Sequence, residues 1–105
     1  MTRRPRVFPR AQADLEDIFA YFDLQSDGDT SARFLACFEQ TLRSLCEFPT
    51  RAPEVRAGQG ELFAVRRWPV RGFRNYLVFF RVEESSVDIV RVLHGAREID
   101  PEALL

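Results

Sequence analysis

The chain has 105 residues, 46% hydrophobic and 30% charged, enough for one core and too few for two, so a single domain spanning 1–105 is expected. No apolar run approaches the roughly 20 residues that cross a bilayer, and Arg3-Arg4-Pro5-Arg6 leads into no apolar stretch of signal-peptide length. A membrane role is therefore not expected, and the cytoplasm is the expected compartment.

The formal net charge of −1 is unevenly spread. Residues 1–50 hold 6 arginines and 8 acids, 51–82 hold 7 and 2, and 83–105 hold 2 and 6, so the three segments carry −2, +5 and −4. All 15 cationic residues are arginine, whose planar fork suits bidentate binding of carboxylates or phosphates. The middle segment thus reads either as a receptor for an acidic partner or nucleic acid, or as a solvated sheet face balanced by nearby acids.

In chain order, residues 3–8 suit a short strand that Pro5 confines to an edge or to its first positions, and Pro9 suits the first turn of a helix. Ala11, Leu15, Ile18, Phe19 and Phe22 lie on one helical face while Asp14, Glu16, Asp17 and Asp23 point elsewhere, which predicts a helix to about Leu24. Ser26-Asp27-Gly28-Asp29 is a turn, and Asp29, Thr30 or Ser31 is a candidate cap for the next helix. Phe34, Phe38, Leu42 and Leu45 carry that second helix to about Phe48, where Pro49 stops it. Two amphipathic helices on a short loop form an antiparallel hairpin that needs a further layer against its apolar side.

Residues 50–60 read as loop. Leu62 to Trp68, Phe73 to Val82 and Val87 to Leu93 then read as three successive strands on short connections, an antiparallel meander. The last has the composition of a central strand and delivers His94, Arg97 and Glu98 to the place where the chain leaves the sheet. Along the second strand Tyr76, Val78, Phe80 and Val82 share one face and Asn75, Leu77, Phe79 and Arg81 the other. Both faces are apolar near the middle, so the face away from the helices is expected to be partly exposed or covered by another protein. The fold class is α+β, a small antiparallel sheet on a helical hairpin in the order β-α-α-β-β-β.

Little in the chain is arranged for catalysis. The single histidine, His94, is the one base available to a serine or cysteine nucleophile, and no glycine-framed strand-to-helix elbow presents a serine. Cys37 and Cys46, nine residues apart on one helix, sit about 180° apart around its axis and cannot pair with each other. Two thiols and one histidine fall short of a closed zinc set, and no phosphate-cradling glycine motif is present. No metal, cofactor or catalytic residue is assigned. The most suggestive cluster is basic and aromatic: Phe63, Arg66, Arg67, Trp68, Arg71, Phe73, Arg74 and Tyr76, which suits contact with RNA or protein and equally describes an ordinary half-exposed strand.

The element order resembles the RelE/ParE superfamily of bacterial toxins, and most of all its ParE branch. The residues that carry the resemblance are Ala13-Asp14-Leu15-Glu16-Asp17-Ile18, Leu45 to Pro49, Tyr76 to Val82, and the closing Arg91-Val92-Leu93-His94-Gly95-Ala96-Arg97-Glu98. The resemblance implies a helix hairpin packed on an antiparallel sheet and a co-encoded antitoxin whose C-terminal segment wraps the toxin. It also implies one of two activities. RelE-like members cut ribosome-bound mRNA with basic sheet residues and a C-terminal residue, often tyrosine. ParE-like members poison DNA gyrase.

Set against the nuclease pattern, Arg97 falls on a catalytic arginine and Arg66 lies near a basic strand position. Leu77 stands where a further arginine is expected, and Ala103 near the tyrosine. A pI of 5.8 also argues against a protein whose affinity for ribosomal RNA would rest on phosphate neutralisation. The expectation is a ParE-like toxin that inhibits DNA gyrase by binding and is neutralised by a cognate, ParD-like antitoxin, with higher assembly through antitoxin contacts and no sequence-specific nucleic-acid binding. The alternatives are a ribosome-dependent endoribonuclease and an inactive homologue that binds antitoxin only. Arg66, Arg67, Arg74 and Arg97 are expected to pair with acidic groups of antitoxin or target, with Trp68, Phe73 and Tyr76 as apolar anchors and His94 beside them.

Overall fold

The computed structural model describes residues 2–25, 28–56 and 64–95. Strand β1 (Arg4–Val7) leads into helix α1 (Pro9–Gln25), and helix α2 (Asp29–Glu47) is next in chain order. A 3-10 turn at Pro49–Arg51 precedes strands β2 (Glu54–Arg56), β3 (Ala64–Val70), β4 (Phe73–Val82) and β5 (Ser86–His94). The strands form one sheet in the order β1-β5-β4-β3-β2.

The sheet is mixed. The meander from β2 to β5 is antiparallel, while β1 lies parallel to β5, with Arg4 opposite Ser86 and Val7 opposite Ile89. The Arg4 and Phe8 N–H groups donate to the Ser85 and Ile89 carbonyls. The alternation turns Pro5 away from β5, so its missing N–H costs no ladder bond. β5 is thereby an interior strand paired on both sides, as its Val/Ile/Leu composition predicts.

The strand β2 is not foreseen in the 50–60 loop. Three residues with one apolar side chain, preceded by Pro53, give no alternation to read, and the strand exists because Glu54, Val55 and Arg56 find partners in Arg66, Val65 and Ala64.

The cap of α2 also differs from expectation. Gly28 occupies it, at φ +96° and with no side-chain cap bond, a backbone conformation that glycine adopts at least cost. Ser31 instead donates to the Asp23 carboxylate at 2.7 Å and lies 3.2 Å from the Phe19 carbonyl, stitching α2 to α1.

Both helices cover one face of the sheet. Ala11, Leu15 and Ile18 of α1 and Phe34, Phe38, Leu42 and Leu45 of α2 meet Val70, Val78, Phe80, Val87, Ile89 and Val92. At the centre, Phe34 lies edge-on to Phe73 and Tyr76, with ring centroids 5.1 and 5.2 Å away. Burying such a ring contributes about 2–3 kcal/mol relative to leaving it in water. On the far face Val65 and Phe79 are 1% and 0% exposed, with Val55, Leu77, Val90 and Leu93 packed against them. The expected exposure of that face does not extend to these two side chains.

Two irregularities set positions that matter below. Phe79 pairs with Arg91 and Phe80 with Ile89, so Val90 is an extra residue in β5. Such a bulge re-aims the side chains beyond it. A second register shift, at Pro69/Val70, precedes the Arg71-Gly72 turn. That turn is docked on α2: the Arg71 N–H donates to the Thr41 hydroxyl at 3.0 Å, and Thr41 donates to the Cys37 carbonyl at 2.8 Å. No helix among the described residues is long and apolar enough to cross a membrane.

Candidate protein-binding site

Because β2 is short, it pairs only with Ala64 to Arg66. The Arg67 N–H donates to the Pro53 carbonyl at 3.1 Å, and from Trp68 onward β3 has no strand on its outer side among the described residues. A groove of about 710 Å³ runs along this open edge, between the C-terminal half of α2 and the β3–β4 turn. Arg51, Arg67, Trp68, Arg71 and Arg74 line it, and among the described residues no acidic side chain does.

The groove's aromatic wall is pre-ordered. The Arg51 guanidinium lies 5.0 Å from the Trp68 ring and 6.0 Å from the Phe48 ring and donates to the Ser44 hydroxyl. A cation held over rings in this way is attracted by their negative faces. Phe48 is 60% exposed, so the cluster presents both apolar surface and charge to solvent.

Arg67, Arg71 and Arg74 are exposed. Ion pairs among the described residues join Arg6 to Asp88, Arg66 to Glu54 and Arg91 to Asp14, and none involves a groove arginine. Four guanidinium groups around one concavity with no carboxylate among its described lining residues form a local positive field on a chain of net charge −1.

The structure separates the predicted site residues into three groups. Arg67, Trp68 and Arg74 line the groove together. Arg66 lies beside it but is turned inward: its Nη1 donates to the Ala52 carbonyl at 2.6 Å and lies 3.3 Å from the Thr50 carbonyl, and Nη2 is 3.4 Å from Glu54. It braces the 3-10 turn to β3. Phe73, Tyr76 and His94 lie apart from the groove, on the helix-facing side of the sheet. Tyr76 is 9% exposed and meets His94 edge-on at 4.8 Å, while Phe73 packs on Phe22 and Phe34 with the Arg33 guanidinium above it at 5.4 Å. Tyr76 is a core residue in this chain. Arg97 lies outside the described residues, as does Ala103.

Sequence reasoning missed Phe48 and Arg51, which it left at a helix end and in a loop. The available signal was the +5 charge of residues 51–82; which of those arginines converge required the docking of α2 on β3. Leu77, at the position where an arginine was sought, packs into the far-face cluster with Phe79. Among the described residues no group of three or more His, Cys, Asp or Glu is gathered to hold a metal.

Comparison with known proteins agrees with this architecture. The family described as ParE toxin of type II toxin-antitoxin system, parDE, matches residues 6–99. A solved structure, the chromosomal ParDE TA system from P. aeruginosa, is similar over 89% of this chain and 96% of the other, with a TM-score of 0.69 at 16% sequence identity. At that identity the likeness is one of fold. No curated protein sequence matches the chain.

Proposed function

The chain belongs to the ParE toxin family of type II toxin-antitoxin systems, and on that premise we propose that it acts by binding, with DNA gyrase as its target and a cognate antitoxin as its inhibitor. The observation that carries a binding mode of action is the groove: Arg67, Arg71 and Arg74 stand exposed beside Trp68, and no described carboxylate pairs with them. Charged groups without partners around an aromatic wall are the usual anatomy of a protein-recognition patch.

The competing activity, cleavage of ribosome-bound mRNA, finds less support. Leu77 is an apolar side chain of the far-face cluster and can neither hold a phosphate nor exchange a proton. The His94 and Tyr76 rings stand perpendicular with centroids 4.8 Å apart, a packing arrangement that sets the imidazole against a core residue.

The test is a pair of assays on purified protein. Inhibition of gyrase supercoiling with ribosome-bound mRNA left intact is the expected result; cleavage of mRNA with gyrase unaffected overturns the proposal. A co-expressed neighbouring antitoxin should restore supercoiling.

A further inference from the structure

We infer that the β1 edge of the sheet, together with the β5 and β4 residues beside it, binds the phosphate backbone of duplex DNA independently of sequence. This surface lies at the other end of the sheet from β2 and β3, and the inference does not rest on the target proposed above.

Cross-strand pairing gathers the charges. Arg4 and Arg6 stand opposite Ser86 and Asp88 on β5, and Asp88 stands opposite Arg81 on β4. Directly paired residues project from the same face, so three arginines and one acid share the side away from the helices. That acid is hidden and engaged: the Asp88 side chain is 5% exposed and accepts from the Ser86 hydroxyl at 2.8 Å. Arg6 lies 3.7 Å from it and still keeps 60% of its side chain exposed. Arg4 is exposed, and among the described residues no carboxylate pairs with it.

Phe8, just past β1, orders two of these cations. The Arg6 and Arg81 guanidinium groups lie over its ring, 5.5 and 5.8 Å from the centroid. Guanidinium groups placed in advance lose less freedom when they meet an anion. The same stacking narrows the choice of ligand. Single-stranded nucleic acid binds by laying bases on open aromatic faces, and a protein partner calls for an apolar anchor at the centre of the patch. The ring that could serve either purpose is covered by guanidinium groups, so the surface offers fixed positive charge.

The backbone of the edge is no better suited to a protein strand. Pro5 is turned outward and has no N–H, which interrupts any added ladder. Arg4 and Arg6, two residues apart on an extended strand, are separated by about 6.7 Å along it. Successive phosphates of a B-form strand are spaced on the same scale, and contacts to phosphates position a protein without reading sequence. The net charge of −1 supplies no long-range attraction, so binding is local and belongs to low salt. Glu83 and Glu84 in the β4–β5 turn flank the Arg4 end, where the Arg4 N–H donates to the Ser85 carbonyl, and they oppose it.

The test is fluorescence anisotropy of a short labelled duplex DNA titrated with the whole chain at low salt, with no gyrase present. Saturable binding is expected, equal for AT-rich and GC-rich duplexes, with log affinity falling against log salt at a slope of about −2 to −3. Arg4→Gln combined with Arg6→Gln should weaken binding about tenfold or more and bring the slope close to −1. Arg4→Lys with Arg6→Lys should retain most of the affinity, and Glu83→Gln with Glu84→Gln should raise it. Circular dichroism melts confirm that each variant folds. No saturable binding, indifference to the double glutamine variant, or a larger loss in Arg71→Gln with Arg74→Gln overturns the inference. So does tighter binding of a single-stranded oligonucleotide, or displacement of the duplex by polyglutamate as readily as by unlabelled duplex.

Discussion

The Asp14 carboxylate on α1 receives the Arg91 guanidinium on β5 through Nε at 2.7 Å and Nη2 at 3.0 Å, and takes the Val92 N–H at 2.9 Å as well. The two side chains are 12% and 10% exposed. One carboxylate thus closes an ion pair and satisfies a backbone donor on the part of β5 that extends beyond β1, just past the bulge at Val90. Removing it takes the bidentate Asp14 partner from a largely buried guanidinium and leaves the Val92 N–H without its acceptor. Asp14→Ala should therefore destabilise the fold by about 3–5 kcal/mol, seen as a lower urea midpoint. Arg91→Met in the Asp14→Ala background should recover a substantial part of that loss, because neither charge of the pair then remains; a double variant as unstable as Asp14→Ala alone would show that the pair's charge is not what the carboxylate serves.

Gly95 marks a close approach. Its N–H donates to the Asn75 carbonyl, and a Cβ there would lie 3.1 Å from that oxygen and 3.3 Å from the Leu77 side chain. A backbone oxygen held in the sheet yields little, so Gly95→Ala should cost about 1–3 kcal/mol in denaturant melts. Unchanged stability would show that the end of β5 can lift off β4 freely.

Neighbouring arginines should behave differently. Arg66 satisfies the Ala52 carbonyl on the 3-10 turn, so Arg66→Ala should lower stability by about 1–2 kcal/mol. Arg67 is exposed and faces the groove, so Arg67→Ala should change stability by less than about 0.5 kcal/mol while weakening partner binding. Equal thermal shifts in the two variants would contradict this division.

The two cysteines offer a chemical check. Cys46 is buried and desolvation raises its thiol above the ordinary value of 9.0, whereas Cys37 is half-buried. Iodoacetamide should label Cys37 first and reach Cys46 on unfolding. The folded state holds the Cys46 proton more tightly than the unfolded chain. Its contribution to stability is therefore fully present below the unfolded value and is lost as pH rises through the folded one. Denaturant midpoints should fall above about pH 9 more steeply for the natural chain than for Cys46→Ala.

Local periodicity and composition are enough to place the regular elements. The 3.6-residue spacing of Leu15, Ile18 and Phe22 and of Phe34, Phe38 and Leu42 places α1 and α2, and the alternation from Tyr76 to Val82 with the branched run Val87 to Leu93 places β4 and β5. The family was legible too, since the closing His-Gly-Ala-Arg-Glu lies in that setting. Pairing depends on contacts between elements distant in the chain. Glu54–Arg56 is a strand because β3 offers it an edge, β1 runs parallel to β5 because of where the hairpin returns the chain, and Asp14 is a buried acceptor because a bulge aims Arg91 at it. The binding groove belongs to this second kind. Arg51, Arg67, Arg71 and Arg74 are spread over 24 positions, and their charges act together only because α2, the 3-10 turn and β3 are packed side by side.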